Sequence, residues 1–223
     1  MARQLTFDLP ARAAMGRGDF FVSPGNASAV SAVLDWPEWP KGKLVLVGPG
    51  GSGKTHLAHV WAERTRARLV SARELDVDRI YGLAERPVAI ENADSAVGNR
   101  AIEEAMFHLH NLAAARGMHL LVTASAPPVH WKAVLPDLLS RMQEATTVSL
   151  SRPDDPLLAA VMVKQFNDRQ LIVDPEVVLY LIRRIERSFA SVRRIVEALD
   201  RTSLEEGRRI TRMLARRVLD RLA

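Results

Sequence analysis

The hydrophobic pattern changes character once along this chain. Lys43-Leu44-Val45-Leu46-Val47 is a near-continuous apolar run of strand length, and residues 68–71, 87–90 and 119–124 repeat the signal. Residues 56–66 place Leu57, Val60 and Trp61 on one side of a helix, and a second helical stretch is predicted over 99–116. Strands alternating with helices predict a parallel sheet covered by helices, an α/β fold. Ahead of the first strand, Phe20-Phe21-Val22 predicts a turn and residues 26–34 a helix. Trp36-Pro37-Glu38-Trp39-Pro40 closes that helix, because proline cannot continue one. Beyond about residue 154 the strand signal disappears, and helices are predicted over 154–168, 175–187, 189–202 and 211–222, with Thr211 as the last N-cap. The chain therefore reads as a short tail (1–12), an α/β domain (13–150) and a small helical domain (151–223), with no internal repeat or low-complexity linker.

Composition narrows the class. With 48% hydrophobic and 26% charged residues among 223, the chain has the balance of a globular protein. No apolar run approaches the roughly 18 residues of a membrane span, and the N-terminus lacks a signal peptide's apolar core, so a cytoplasmic protein is expected. The absence of cysteine excludes disulfides and thiolate metal sites. The net charge of +5 and the pI of about 10.1 make an acidic partner plausible. Much of the excess lies in Arg183, Arg184, Arg187, Arg193, Arg194, Arg208, Arg209, Arg212, Arg216 and Arg217, and solvated helix faces are the competing reading of that cluster.

The chemistry begins where the first strand ends. Gly48-Pro49-Gly50-Gly51-Ser52-Gly53-Lys54-Thr55 fits G-x-x-x-x-G-K-[ST] between a strand and a helix. Its glycines let backbone N–H groups approach phosphate oxygens, and the helix that follows adds its positive end. Lys54 is placed on the β- and γ-phosphates and Thr55 on a magnesium ion, and His56 completes the nucleotide-contacting run. Glu91, at the end of Val88-Ala89-Ile90, is the expected metal-side carboxylate. The next position holds the amide Asn92, a poor base, so nucleotide should be held better than it is hydrolysed. Thr123 to Ser125 either sense a γ-phosphate or form a turn. Arg141, in Leu135-Pro136-Asp137-Leu138-Leu139-Ser140-Arg141, is either a finger toward a neighbour's nucleotide or part of a surface ion pair. Arg193 sits near the start of a helix from which it could reach back to nucleotide.

Together these residues resemble the replication initiator DnaA and its shorter relative Hda, within the AAA+ ATPases, over nearly the whole chain. Asp19-Phe20-Phe21-Val22-Ser23-Pro24-Gly25-Asn26-Ala27 is similar to the family's adenine-side box, and Ile90-Glu91-Asn92-Ala93-Asp94 to its Walker B segment, with Glu where the family has Asp. The resemblance implies that Thr123–Ser125 is the sensor I region, with Ser125 in place of Asp or Asn, that Arg141 is the arginine finger, and that Arg193 is the sensor II arginine of a helical lid. DnaA continues past the lid into a DNA-binding domain, so this chain is not expected to recognise an origin sequence by itself.

The tail Arg3-Gln4-Leu5-Thr6-Phe7-Asp8-Leu9-Pro10 is similar to the peptide by which Hda docks on the DNA polymerase sliding clamp. Such a segment would bury Leu5 and Phe7 in an apolar pocket while Gln4 hydrogen-bonds at the edge, and a packed N-terminal strand is the alternative. The resemblance implies a regulator that holds ADP or ATP with Mg²⁺, meets DNA indirectly through the clamp, acts on a DnaA-like initiator and has the option of self-association, with no membrane partner. A DnaC-like helicase loader is the alternative function. A small-molecule P-loop kinase fits less well, because its lid would be inserted within the α/β domain.

Overall fold

The computed structural model describes residues 12–14 and 20–222. They divide into two units, one formed by Asn26–Ser151 and the other by Arg152–Ala223 together with Phe21–Gly25.

The first unit is a five-stranded sheet in the order β4-β5-β6-β3-β7, where β3 is Lys43–Val47, β4 Arg68–Ser71, β5 Val88–Glu91, β6 Leu120–Ala124 and β7 Thr146–Ser149. Every pairing in it is parallel. All five residues of β3 and of β6 are buried, as expected for central strands covered on both faces. The register sets Val47 beside Ala124 and Ile90 beside Val122, so Gly48, Glu91 and Thr123 emerge along one carboxyl edge. The edge strand β7 has no apolar run to announce it: Thr146, Thr147 and Ser149 are exposed, and β3 alone pairs with it.

Helices α1 (Ala27–Leu34), α2 (Lys54–Thr65), α3 (Ile80–Leu83), α4 (Arg100–Ala115) and α5 (Pro136–Gln143) belong to this unit. Trp61 of α2 is fully buried and stacks on Trp39 at 5.3 Å, and the Trp39 indole N–H donates to the Ala32 carbonyl at 2.7 Å, closing the α1 side of the sheet. Phe20–Val22 is a short strand (β2), paired with Arg12–Ala14 (β1), and not the predicted turn. The pairing, invisible to local sequence, decides it.

Glu103 organises the far end of α4. Its carboxylate is fully buried and accepts hydrogen bonds from the backbone N–H groups of Gly98 (2.7 Å), Val134 (3.1 Å) and Leu135 (2.6 Å). Three donors satisfy the charge without a cation, and they lock the segment that leads into α5, the helix of Arg141.

The second unit carries α6 (Asp155–Asp168), α7 (Pro175–Ile182), α8 (Phe189–Glu206) and α9 (Arg212–Leu222) around Leu158, Met162, Phe166, Leu181, Val192 and Val196. Asp154, Ser188 and Thr211 cap three of these helices through their side-chain oxygens. Helix α7 ends five residues before its predicted limit, because Ser188 must be extended to cap α8. Helix α8 runs on to Glu206, where Gly207 at φ 60° stops it. The arginine excess is partly built into the fold: the guanidinium groups of Arg184 and Arg212 lie 4.0 and 4.9 Å from the centre of the Tyr180 ring. Among the described residues no helix is long and apolar enough to cross a membrane.

Replacing Glu103 by Ala strands three buried donors and should lower unfolding free energy by about 3 kcal/mol, while Glu103→Gln, which keeps one acceptor oxygen, should cost less than half of that. Urea denaturation of both variants checks the order and the size.

Candidate nucleotide-binding site

The loop after β3 is shaped by what cannot fit there. A Cβ on Gly48 would lie 2.2 Å from the Leu150 carbonyl oxygen, just past the end of β7, so only glycine lets the two backbones approach. The Gly48 N–H donates to the Ala124 carbonyl at 3.1 Å, which ties the loop to β6 as well. Gly51 and Gly53 take φ values of 75° and 100°, and the left-handed Gly53 starts α2 with no side chain bonded to its first N–H groups. The helix therefore presents uncapped donors and its positive end to the loop.

Lys54 is buried, and its ammonium donates to the carbonyls of Gly48 (2.6 Å) and Pro49 (3.0 Å). Burial pulls its pKa below the usual lysine value, and the negative charge of Asp94 opposes that shift. Thr55 and His56 lie exposed in the first turn of α2, and Ser52 is buried with its hydroxyl oxygen unbonded.

The acidic side of the site is stitched to β6. Asn92 occupies the left-handed region at φ 54°, a conformation that asparagine tolerates, and its N–H donates to the Thr123 hydroxyl at 3.1 Å. The Ser125 N–H donates to Asp94 Oδ2 at 2.9 Å. Glu91 Oε1 and Asp94 Oδ1 are buried without a hydrogen-bond partner among the described residues. Because β6 separates β5 from β3, Glu91 stands two strands from the loop, about 10 Å across the sheet.

The residues fit a magnesium nucleotide. A buried ammonium with only carbonyl partners, an uncapped helix start and an unbonded hydroxyl suit phosphate oxygens, and two unsatisfied carboxylate oxygens on the same edge suit a hydrated cation. Asp94 joins this edge without a role legible in the local sequence. Its only signal was an acid three residues after Glu91, and its importance comes from the bend at Asn92 that turns it back toward Ser125 and Lys54.

The structure gathers Gly48, Pro49, Gly50, Gly51, Ser52, Gly53, Lys54, Thr55, His56 and Glu91 on the carboxyl edge. Arg141 stands elsewhere, exposed near the end of α5, with Nη1 3.5 Å from Glu144. Arg193 belongs to the second unit, exposed on α8. Gln4, Leu5 and Phe7 of the tail, and Asp19 of the adenine-side box, lie outside the described residues.

This sheet order, with a phosphate loop between β3 and α2 and a helical second unit, is that of a P-loop α/β nucleotide-binding fold. Residues 155–219 match the family model described as the lid domain of Hda. The chain is similar to domain III of Thermotoga maritima DnaA, at a TM-score of 0.79 and 19% identity, covering 90% of this chain and 93% of that one. It is also similar to Aquifex aeolicus DnaA (TM-score 0.68, 17% identity), covering 84% of this chain but only 65% of that longer one. A third likeness is to the Thermotoga maritima RuvB branch migration motor, at a TM-score of 0.70 and 17% identity, over 89% of this chain and 69% of that one. The lid-domain match over 155–219 and the fold likeness to DnaA domain III point in the same direction.

Gly48→Ala should distort the loop, because the obstructing atom is a backbone carbonyl with no flexible end to swing away. The expected loss of stability is about 1–3 kcal/mol, the range of an overpacked site. A thermal melt beside Gly50→Ala, where no atom lies within 4 Å of the added carbon, provides the comparison.

Proposed function

We propose that this chain is an adenine-nucleotide-binding regulator of replication initiation that docks on the sliding clamp and promotes hydrolysis of ATP bound to a DnaA-like initiator. The observation that carries this reading is the match of residues 155–219 to the Hda lid on a fold similar to that of DnaA domain III. DnaA structures of the same fold are described with AMPPCP, which supports an ATP-type ligand. In this reading the domains are the tail 1–12, the α/β domain 13–150 and the lid 151–223, and the protein works in the cytoplasm.

Lys54 and the N–H groups of the loop hold the phosphates, and Arg193 of the second unit takes the part of the sensor II arginine. Thr55 and Glu91 would hold magnesium, with Asp94 beside them. The ion supplies charge neutralisation between the phosphates when bound. The protein's own turnover is slow, because Asn92 offers an amide where a carboxylate base would stand. Its bound nucleotide is structural, and Arg141 acts on the partner's nucleotide, where a guanidinium finger contributes on the order of 10³ to 10⁵ in rate.

Lys54→Ala should weaken ADP and ATP binding by at least about tenfold, the loss of one or two charge-assisted contacts. Calorimetry on the purified variant measures it. Unchanged affinity overturns the site, and brisk hydrolysis by the parent alone, lost in this variant, overturns the structural role of the nucleotide.

Docking and catalysis separate by substitution. Gln4→Ala with Leu5→Ala should abolish clamp binding and leave nucleotide binding intact. Arg141→Ala should leave clamp binding intact and reduce stimulated hydrolysis on the order of 10³-fold. Reconstitution of initiator–ATP with clamp-loaded DNA tests both, and full stimulation by Arg141→Ala rejects the finger assignment.

A further inference from the structure

Two lysines of the α/β unit are buried among the described residues, and the nucleotide site uses only Lys54. The other, Lys43, begins β3 at the amino edge of the sheet, the edge opposite the phosphate loop. Its Nζ lies 2.5 Å from His110 Nε2 on α4, and His110 Nδ1 lies 3.2 Å from Asn111 Oδ1. An ammonium can only donate, so Nε2 accepts and the imidazole is neutral, with its proton on Nδ1 toward the Asn111 oxygen. That chain uses one of the three ammonium protons.

The remaining donors share a cavity of about 640 Å³ whose lining includes Lys41, Lys43, His110, Arg141 and Glu144. Glu144 is the single carboxylate in that lining, and it already receives Lys41 at 3.1 Å and Arg141 at 3.5 Å. No carboxylate pairs with Lys43 among the described residues. Burial lowers the Lys43 pKa, Arg141 and Lys41 lower it further, and Glu144 opposes them. Three cations thus line a concave space with one carboxylate, and one of the three is a buried lysine with no carboxylate partner among the described residues. Such an arrangement is relieved by an anion. A phosphoryl group fits better than a carboxylate, because its oxygens diverge and can take an ammonium from β3 and a guanidinium fork from α5 together.

We propose that this cavity binds a phosphoryl anion, with Lys43 and Arg141 donating to one phosphate group, Lys41 at the rim, and His110 as the residue that positions Lys43. The proposed function supplies one source for that group, the terminal phosphate of a nucleotide held by a partner subunit. Free orthophosphate presents the same chemistry. The cavity stands without that functional reading, which decides only the source.

The test uses the full chain saturated with ADP, so that the phosphate loop is filled. Inorganic phosphate is titrated against sodium chloride at equal ionic strength while the His110 imidazole is followed by NMR. Phosphate should move the His110 signals saturably and chloride should not. Lys43→Gln and Arg141→Ala should each weaken phosphate binding by about tenfold or more, the worth of one charged hydrogen bond. Arg141 and Lys41 are exposed, so Arg141→Ala and Lys41→Gln remain informative if the buried Lys43 variant fails to fold. Identical responses to phosphate and chloride overturn the proposal, as does parental phosphate affinity in a folded Lys43→Gln protein. The second arm measures stimulation of initiator-bound ATP hydrolysis. A fall of about tenfold or more in Lys43→Gln assigns the phosphate to the partner's nucleotide. Full stimulation with lost phosphate binding assigns the site to free orthophosphate. A parent that never stimulates rejects the functional reading, and the titration still decides the cavity.

Discussion

The Lys54 ammonium is buried against two carbonyl oxygens of its own loop, and much of the surrounding structure answers to that arrangement. A desolvated cation bonded only to neutral acceptors is tolerable where the backbone is rigid and an opposite charge lies within electrostatic reach. Rigidity comes from Gly48, pressed against Leu150 and bonded to Ala124, so β7 and β6 clamp the loop from both sides. The opposite charge comes from Asp94, held by the Ser125 N–H. The phosphate loop is thus maintained by strands that contribute no residue to the phosphate-binding motif.

The same edge ties the turn after β5 to β6. Asn92 and Asp94 bond to Thr123 and to the backbone of Ser125, so a shift at Glu91 is felt along β6, the strand that also carries the Gly48 contact. An asparagine in the left-handed region makes this possible, because it turns the chain at once after β5 and returns Asp94 to the sheet. The amide at position 92 therefore supports the bend that brings in a second carboxylate.

The amino edge follows a different logic. There α4 supplies His110 to Lys43, while Glu103, seven residues earlier on the same helix, holds the segment that leads into α5. Both contacts fix the surroundings of Arg141 from one rigid helix. In the function proposed above, Arg141 gains from such support, since preorganised charge need not be rearranged on contact. Because the two edges lie at opposite ends of parallel strands, the cations around Lys54 and those around Lys43 are kept apart.

The sequence by itself determined the parts whose information is local. The phosphate loop follows from glycine and lysine spacing, the central strands from apolar runs such as Leu44–Val47, and the lid from helical periodicity with an oxygen-bearing cap at Thr211. Parallel topology followed from alternation. Tertiary structure alone decided what depends on residues distant in the chain. The polar strand β7 exists because β3 lends it a partner, and Phe20–Val22 is a strand because Arg12–Ala14 pairs with it. Asp94 acquires its place through Ser125, 31 residues on, and the Lys43–His110 pair spans 67 residues. Hydrophobic periodicity records which face of an element is buried, but not what it is buried against, so buried charges and their partners become legible only when the strands and helices are packed.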